Sequence, residues 1–138
     1  MGNAISTLLE SVPESERCLA STVLVLTEIA HADKAFDGRE RETIIEGLCE
    51  LFSADPSRVE ALLASAIEAR LGGTDLTRLS RILGQHLSQP ERTNVVEAMW
   101  RVVMADGTVD DMEQRLADSM SLLLGVSYDK VAEIRQHL

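Results

Sequence analysis

Aromatic residues are scarce: Phe36, Phe52, Trp100 and Tyr128 are the only four among 138 positions. So small a set leaves little material for a base-stacking surface or a sugar platform. Cysteine is scarce too. Cys18 and Cys49 stand 31 residues apart, with no CxxC pair and no Cys/His cluster. That spacing excludes a disulfide framework and a zinc knuckle, and both read as buried, reduced thiols. Positive charge is short, with 13 Lys+Arg against 23 Asp+Glu and a formal net charge of -10. Such a chain repels phosphate backbones and anionic membranes, so nucleic acid is not expected as a partner; cations and basic surfaces are favoured. Long apolar runs are absent as well. The longest, Val23-Leu24-Val25-Leu26, is far too short to cross a bilayer. The first residues lack the basic start and apolar core of a secretory signal. Gly2-Asn3-Ala4-Ile5-Ser6 fits the loose acylation pattern, but without a second, polybasic signal it reads as chance. The expectation is a soluble, cytoplasmic protein with no membrane insertion.

What is present is ordinary globular composition, 45% hydrophobic and 26% charged. The length suits one domain over residues 1–138, with 1–14 as a weakly ordered segment or a short helix. Apolar residues recur at steps of three and four nearly throughout. Leu19, Val23, Leu26, Ile29 and Ala30 form one stripe, on a helix over about 15–34. Ile44, Ile45, Leu48, Leu51 and Phe52 form a second, and Val59, Leu62, Leu63, Ala66 and Ile67 a third. Further stripes run through Leu76–Leu83, Val95–Met104 and Leu116–Leu124. Asp55-Pro56 and Gln89-Pro90 place proline at a first helical position, where its missing N–H costs nothing. Gly72-Gly73 ends a helix, Thr74 or Asp75 caps the next, Gly125 closes another, and Ser127 caps the last. No segment alternates with a period of two. The fold class is therefore all-α, a single-domain helical bundle of about 7–8 helices.

The informative feature is an internal pseudo-repeat. The segment from Glu28 to Glu40 resembles that from Arg101 to Glu113, and both contain Ala-Asp-x-x-x-Asp-x-x-Glu. Each lies between two amphipathic stretches, giving two helix–acidic turn–helix units joined through about 54–90. Asp37 with Glu40, and Asp110 with Glu113, have capping-box spacing and need no ligand to explain them. Asp33 and Asp106 differ, because each falls at the C-terminal end of a helix, where the dipole disfavours an anion. Their compensation is either a cation on the chain (Lys34, Arg39 or Arg101) or a bound metal ion. The second turn also matches the back half of an EF-hand loop, while Val102 and Met104 stand where its first acidic ligands belong. One turn offers too few oxygens. Two turns meeting through pseudo-twofold packing would supply six carboxylates, Asp33, Asp37, Glu40, Asp106, Asp110 and Glu113, a set suited to Ca²⁺ or Mg²⁺ rather than Zn²⁺.

Ile29-Ala30-His31-Ala32-Asp33 through Glu40, Asp75-Leu76, Pro90-Glu91-Arg92, Met99-Trp100-Arg101-Val102-Val103-Met104-Ala105-Asp106-Gly107 through Glu113, and Leu122-Leu123-Leu124-Gly125-Val126-Ser127 resemble the tellurite-resistance protein TerB family. The resemblance runs from about residue 15 to the end and is closest to the TerB-like branch. It implies a compact all-α fold, a cytoplasmic or membrane-peripheral place, and a metal site at Asp33, Asp37, Glu40, Asp106, Asp110 and Glu113. A protein partner in the cytoplasm or at the inner membrane face would accompany a stress-associated role. Lys34 stands where the family has glycine, putting a positive charge beside the first turn.

Nothing else carries chemistry. His31, His86 and His137 lack paired ligand spacing. Trp100 and the methionines read as core, Glu97–Arg101 as a helix-surface pair, and Glu60 to Arg81 as a solvated face. No nucleophile–base arrangement, phosphate loop or cofactor fingerprint is found, so neither an enzyme nor an organic cofactor is expected. Two readings stand: a divalent-cation-binding helical module, or a helical adaptor whose acidic turns are only caps.

Overall fold

The computed structural model describes residues 4–32, 38–71, 75–105 and 111–138, with side chains from 4–30, 41–70, 75–105 and 111–138. Among these the helices are α1 (Ala4–Ser11), α2 (Arg17–Ala32, entered through a 3₁₀ turn at Glu14–Glu16), α3 (Gly38–Phe52) and α4 (Pro56–Leu71), followed by α5 (Leu76–His86), α6 (Gln89–Met104), α7 (Asp111–Leu123) and α8 (Tyr128–Gln136). The all-α bundle read from the periodicity is the observed fold. Within the N-terminal stretch a short helix, α1, buries Ile5 and Leu9 in the common core.

One helix organises the rest. Every residue from Leu19 to Ala30 is buried, and α2 touches α1, α3, α4, α5, α6 and α7. The stripe expected on α2 is thus a whole circumference. A helix packed on all sides has no solvated face, and Ala20, Leu24 and Val25 complete the ring. Two of its threonines bond back to the helix itself: Thr22 donates to the Cys18 carbonyl and Thr27 to that of Val23.

α4 runs parallel to α2, held at both ends. Arg58 bridges Glu16 at 2.6 Å and Arg70 bridges Glu28 at 3.0 Å. Twelve residues separate the two acids, and twelve separate the two arginines. At 1.5 Å per residue that is roughly 18 Å of matched rise, which fixes both direction and register. Arg70 therefore departs from the solvated face read over Glu60–Arg81: its guanidinium turns to a buried acid on the next helix.

The helix ends follow local chemistry. Asp75 accepts from the Arg78 amide at 2.8 Å and Ser127 from that of Lys130 at 3.1 Å, so both are caps. Pro56 opens α4 as expected. Pro90 lies one place deeper than expected, because Ser88 is the cap of α6 and Gln89 its first residue. Ser88 and Glu91 form a reciprocal capping box, the Ser88 amide donating to the Glu91 carboxylate at 2.8 Å. That bond, with the cap hydroxyl, holds Glu91 below the usual carboxylate range. A lowered native pKa stabilises the fold above the ordinary range and is lost as pH falls through the native value. Ser88→Ala is expected to cost about 1 kcal/mol in urea unfolding at neutral pH, with a smaller deficit once Glu91 is protonated.

Gly125 has φ +81. The Gly125 amide donates to Leu122 and the Val126 amide to Ser121, so α7 ends in a Schellman motif that needs the left-handed conformation. Ser53 adopts φ 51 at the equivalent place after α3, where the Ala54 amide donates to Cys49. Arg92 then ties three elements together, its guanidinium donating to the Leu124 and Leu87 carbonyls at 3.0 and 2.9 Å. The thiols of Cys18 and Cys49 are free, as expected, but half-buried rather than enclosed. Burial pushes both upward, away from thiolate character.

Candidate functional site

α2 leads into the first acidic segment and α3 leaves it; α6 and α7 do the same for the second. Asp33, Asp37, Asp106 and Asp110 lie outside the described residues. So do the capping roles assigned to Asp37 and Asp110 and the helix exits at Gly72-Gly73 and Gly107. Glu40 is in the first turn of α3, with its side chain outside the described set, as is that of His31. Glu113 is in the first turn of α7, partly exposed, and engaged in an interaction of its own.

The scaffold that presents these segments is described. α2 and α6 pack on one another, α3 lies against α6, and α7 lies against α2. This exchange of partners is what a twofold relation between α2–α3 and α6–α7 requires. Arg17 at the start of α2 is close enough to Glu91 at the start of α6 to help hold its carboxyl down. The two helices thus begin at the same end of the bundle, and each runs 16 residues. α3 comes very close to α6 at Gly47, where a Cβ would sit 3.2 Å from Val102 Cγ2.

Two arrangements near this frame were not anticipated from the sequence. Glu28 is 7% exposed near the end of α2. Burial pushes its carboxyl up, Arg70 opposes the rise, and the nearby Asp75 adds to it. The second is on α6. Trp100 is fully buried, as expected, but its indole N–H donates to Ser121 Oγ at 3.0 Å, while the Ser121 hydroxyl donates to the Ala117 carbonyl at 2.8 Å. Arg135 of α8 caps the ring at 4.8 Å from its centroid. Glu97 and Arg101 form the expected exposed pair at 3.2 Å. Among the described residues no group of three or more His, Cys, Asp or Glu side chains converges to hold a metal. His86 is half-buried and His137 exposed. No described helix is long and apolar enough to cross a membrane.

The described residues define an all-α helical module whose central helices α2 and α6 pack on one another. Residues 19–136 match the family described as tellurite resistance protein TerB, most of the chain's length, and the chain belongs to that family. Comparison with curated proteins and with solved structures gave no match.

Proposed function

We propose that this chain is a non-catalytic, cytoplasmic member of the TerB family that binds a hard divalent cation through Asp33, Asp37, Glu40, Asp106, Asp110 and Glu113, in a stress-associated role. The observation that carries the reading is the pairing of the two units. Each Ala-Asp-x-x-x-Asp-x-x-Glu segment follows one of two equal-length helices that start side by side and pack together. The donor set fits: six carboxylates are hard oxygen ligands, which Ca²⁺ and Mg²⁺ prefer and Zn²⁺ does not require. An ion held there would offset the mutual repulsion of the acids and the unfavourable position of Asp33 and Asp106 at helix C-termini. No organic cofactor is called for.

A metal bound only by the native state raises its stability, by about 2.7 kcal/mol at a hundredfold excess over Kd. Melting the chain in EDTA and then in millimolar Ca²⁺, Mg²⁺, Mn²⁺ or Zn²⁺ is expected to show a rise of several degrees, largest for Ca²⁺ or Mg²⁺. Asp33→Ala with Asp106→Ala should abolish that rise. An unchanged melting temperature in every metal, or a rise that survives the double substitution, overturns the reading in favour of an adaptor whose acidic segments only cap helices.

A further inference from the structure

The way the chain is fastened changes abruptly after Gly125. Up to that point polar contacts tie it down. The Trp100 indole holds Ser121, the Arg92 guanidinium donates to the Leu124 carbonyl at 3.0 Å, and the Gln89 side-chain amide donates to that of Gly125 at 3.2 Å. Val126 follows, buried in the common core. Beyond it lies α8, which rests on α6. Its polar bonds are its own: Ser127 caps it through the Lys130 amide, and Lys130 pairs with Glu133 at 3.6 Å. Among the described residues no side-chain hydrogen bond or ion pair joins α8 to another helix. Three side chains hold it. Val131 and Ile134 are its buried residues, and Arg135 lies over the Trp100 ring. Two of the three border water, because a groove of about 170 Å³ separates α8 from α7. Gln114, Asp118 and Leu122 stand on one bank of it, and Tyr128, Val131 and Arg135 on the other.

We propose that α8 is a lid, which leaves the otherwise native molecule as one unit, turning about Ser127, and so uncovers the ring of Trp100. Partial opening follows the weakest set of attachments. Two apolar anchors and one cation–π contact oppose the conformational freedom that the nine residues of α8 would gain. The ties on Leu124 and Gly125 stop the opening from spreading into α7. Once lifted, α8 is shorter than the ~12–15 residues an isolated helix needs, so it unwinds and its amides meet water. The ring it leaves has Arg135 as its cover at 4.8 Å from the centroid, and that cover departs with the helix.

Hydrogen exchange of the full chain, followed by NMR, reads the opening one proton at a time. The amides of Val131 to Gln136 should exchange at least about a hundredfold sooner than those of Leu19 to Ala30. Their rates should stay nearly flat at low urea, where the α2 rates climb steeply, because little surface is exposed when α8 alone opens. The indole N–H of Trp100, the chain's one tryptophan, should exchange with α8 and not with α2. Ile134→Val trims one anchor by a methylene and should speed α8 about three- to tenfold. Arg70→Ala removes a contact that survives the opening. It should speed the α2 amides about a hundredfold and leave those of α8 as they are. Exchange of α8 that keeps pace with α2, in wild type or in Arg70→Ala, overturns the proposal. So does an indole proton released only with α2, since the helix then frays without baring the ring. If Arg70→Ala fails to fold, the urea dependence of the wild-type chain decides the matter by itself.

Discussion

Replacing Trp100 with alanine is expected to cost about 4 kcal/mol, the middle of the range for removing a large buried aromatic. The ring is fully buried on α6, and α7 and α8 both rely on it. Three losses combine: the packing volume, the indole bond to Ser121, and the platform under Arg135. Because the Ser121 hydroxyl spends its proton on the Ala117 carbonyl, its lone pair is free for the indole. Trp100→Phe keeps most of the volume and gives up that bond, so it should cost far less, about 1–2 kcal/mol. Urea unfolding of the two variants checks the order. Trp100→Phe as damaging as Trp100→Ala would place the value of the site in the hydrogen bond rather than in packing.

The second large effect lies at Arg70. Arg70→Ala leaves the Glu28 carboxylate nearly enclosed with no counter-ion, and is expected to cost about 3 kcal/mol, the low end for breaking a buried pair because Arg70 itself is partly exposed. Glu28→Gln should be close to neutral or slightly stabilising at pH 7. The sign follows from the direction of the shift. Burial raises the native pKa of Glu28 above its unfolded value. The native state then binds more protons than the unfolded chain between those two values, and stability falls as pH rises through that interval. Without Arg70 the native value climbs further, so the Arg70→Ala chain should lose more stability on going from mildly acid to neutral pH than wild type does. Combining Glu28→Gln with Arg70→Ala should recover most of the deficit. A double variant as weak as Arg70→Ala alone would show that Arg70 acts through its stem and not through its charge.

Local signals were readable in the sequence where one residue determines the outcome. Asp75, Ser127 and Pro56 start helices, and Gly125 ends one, because cap geometry depends on the few residues around it. Pro90 was misplaced by one position, since Ser88 with Glu91 makes a stronger start than proline. The ring of burial on α2 was not readable, because periodicity reports a helix's own pattern and says nothing of how many neighbours surround it. Arg70 looked like a surface charge for the same reason: its partner is 42 residues away. Only in three dimensions does the equal spacing of Glu16–Arg58 and Glu28–Arg70 appear as parallel helices. The family was legible in the repeated acidic segments and the Trp100–Gly107 run, and residues 19–136 match it. Of the six carboxylates, only the Glu113 side chain falls among the described residues, so their meeting is a matter for the metal titration.

The enclosure of α2 has a mechanical side. A helix gripped on every flank cannot tilt without disturbing the whole interior, so a pull at its exit is shared by six neighbours at once. Neither the chain before residue 72 nor the chain after 74 owns a separate interior, because α2 belongs to the first and is sealed by α5, α6 and α7 of the second. The molecule should melt in one step, and a cut between those halves should leave two fragments that are ill-formed apart and regain their shape only when mixed.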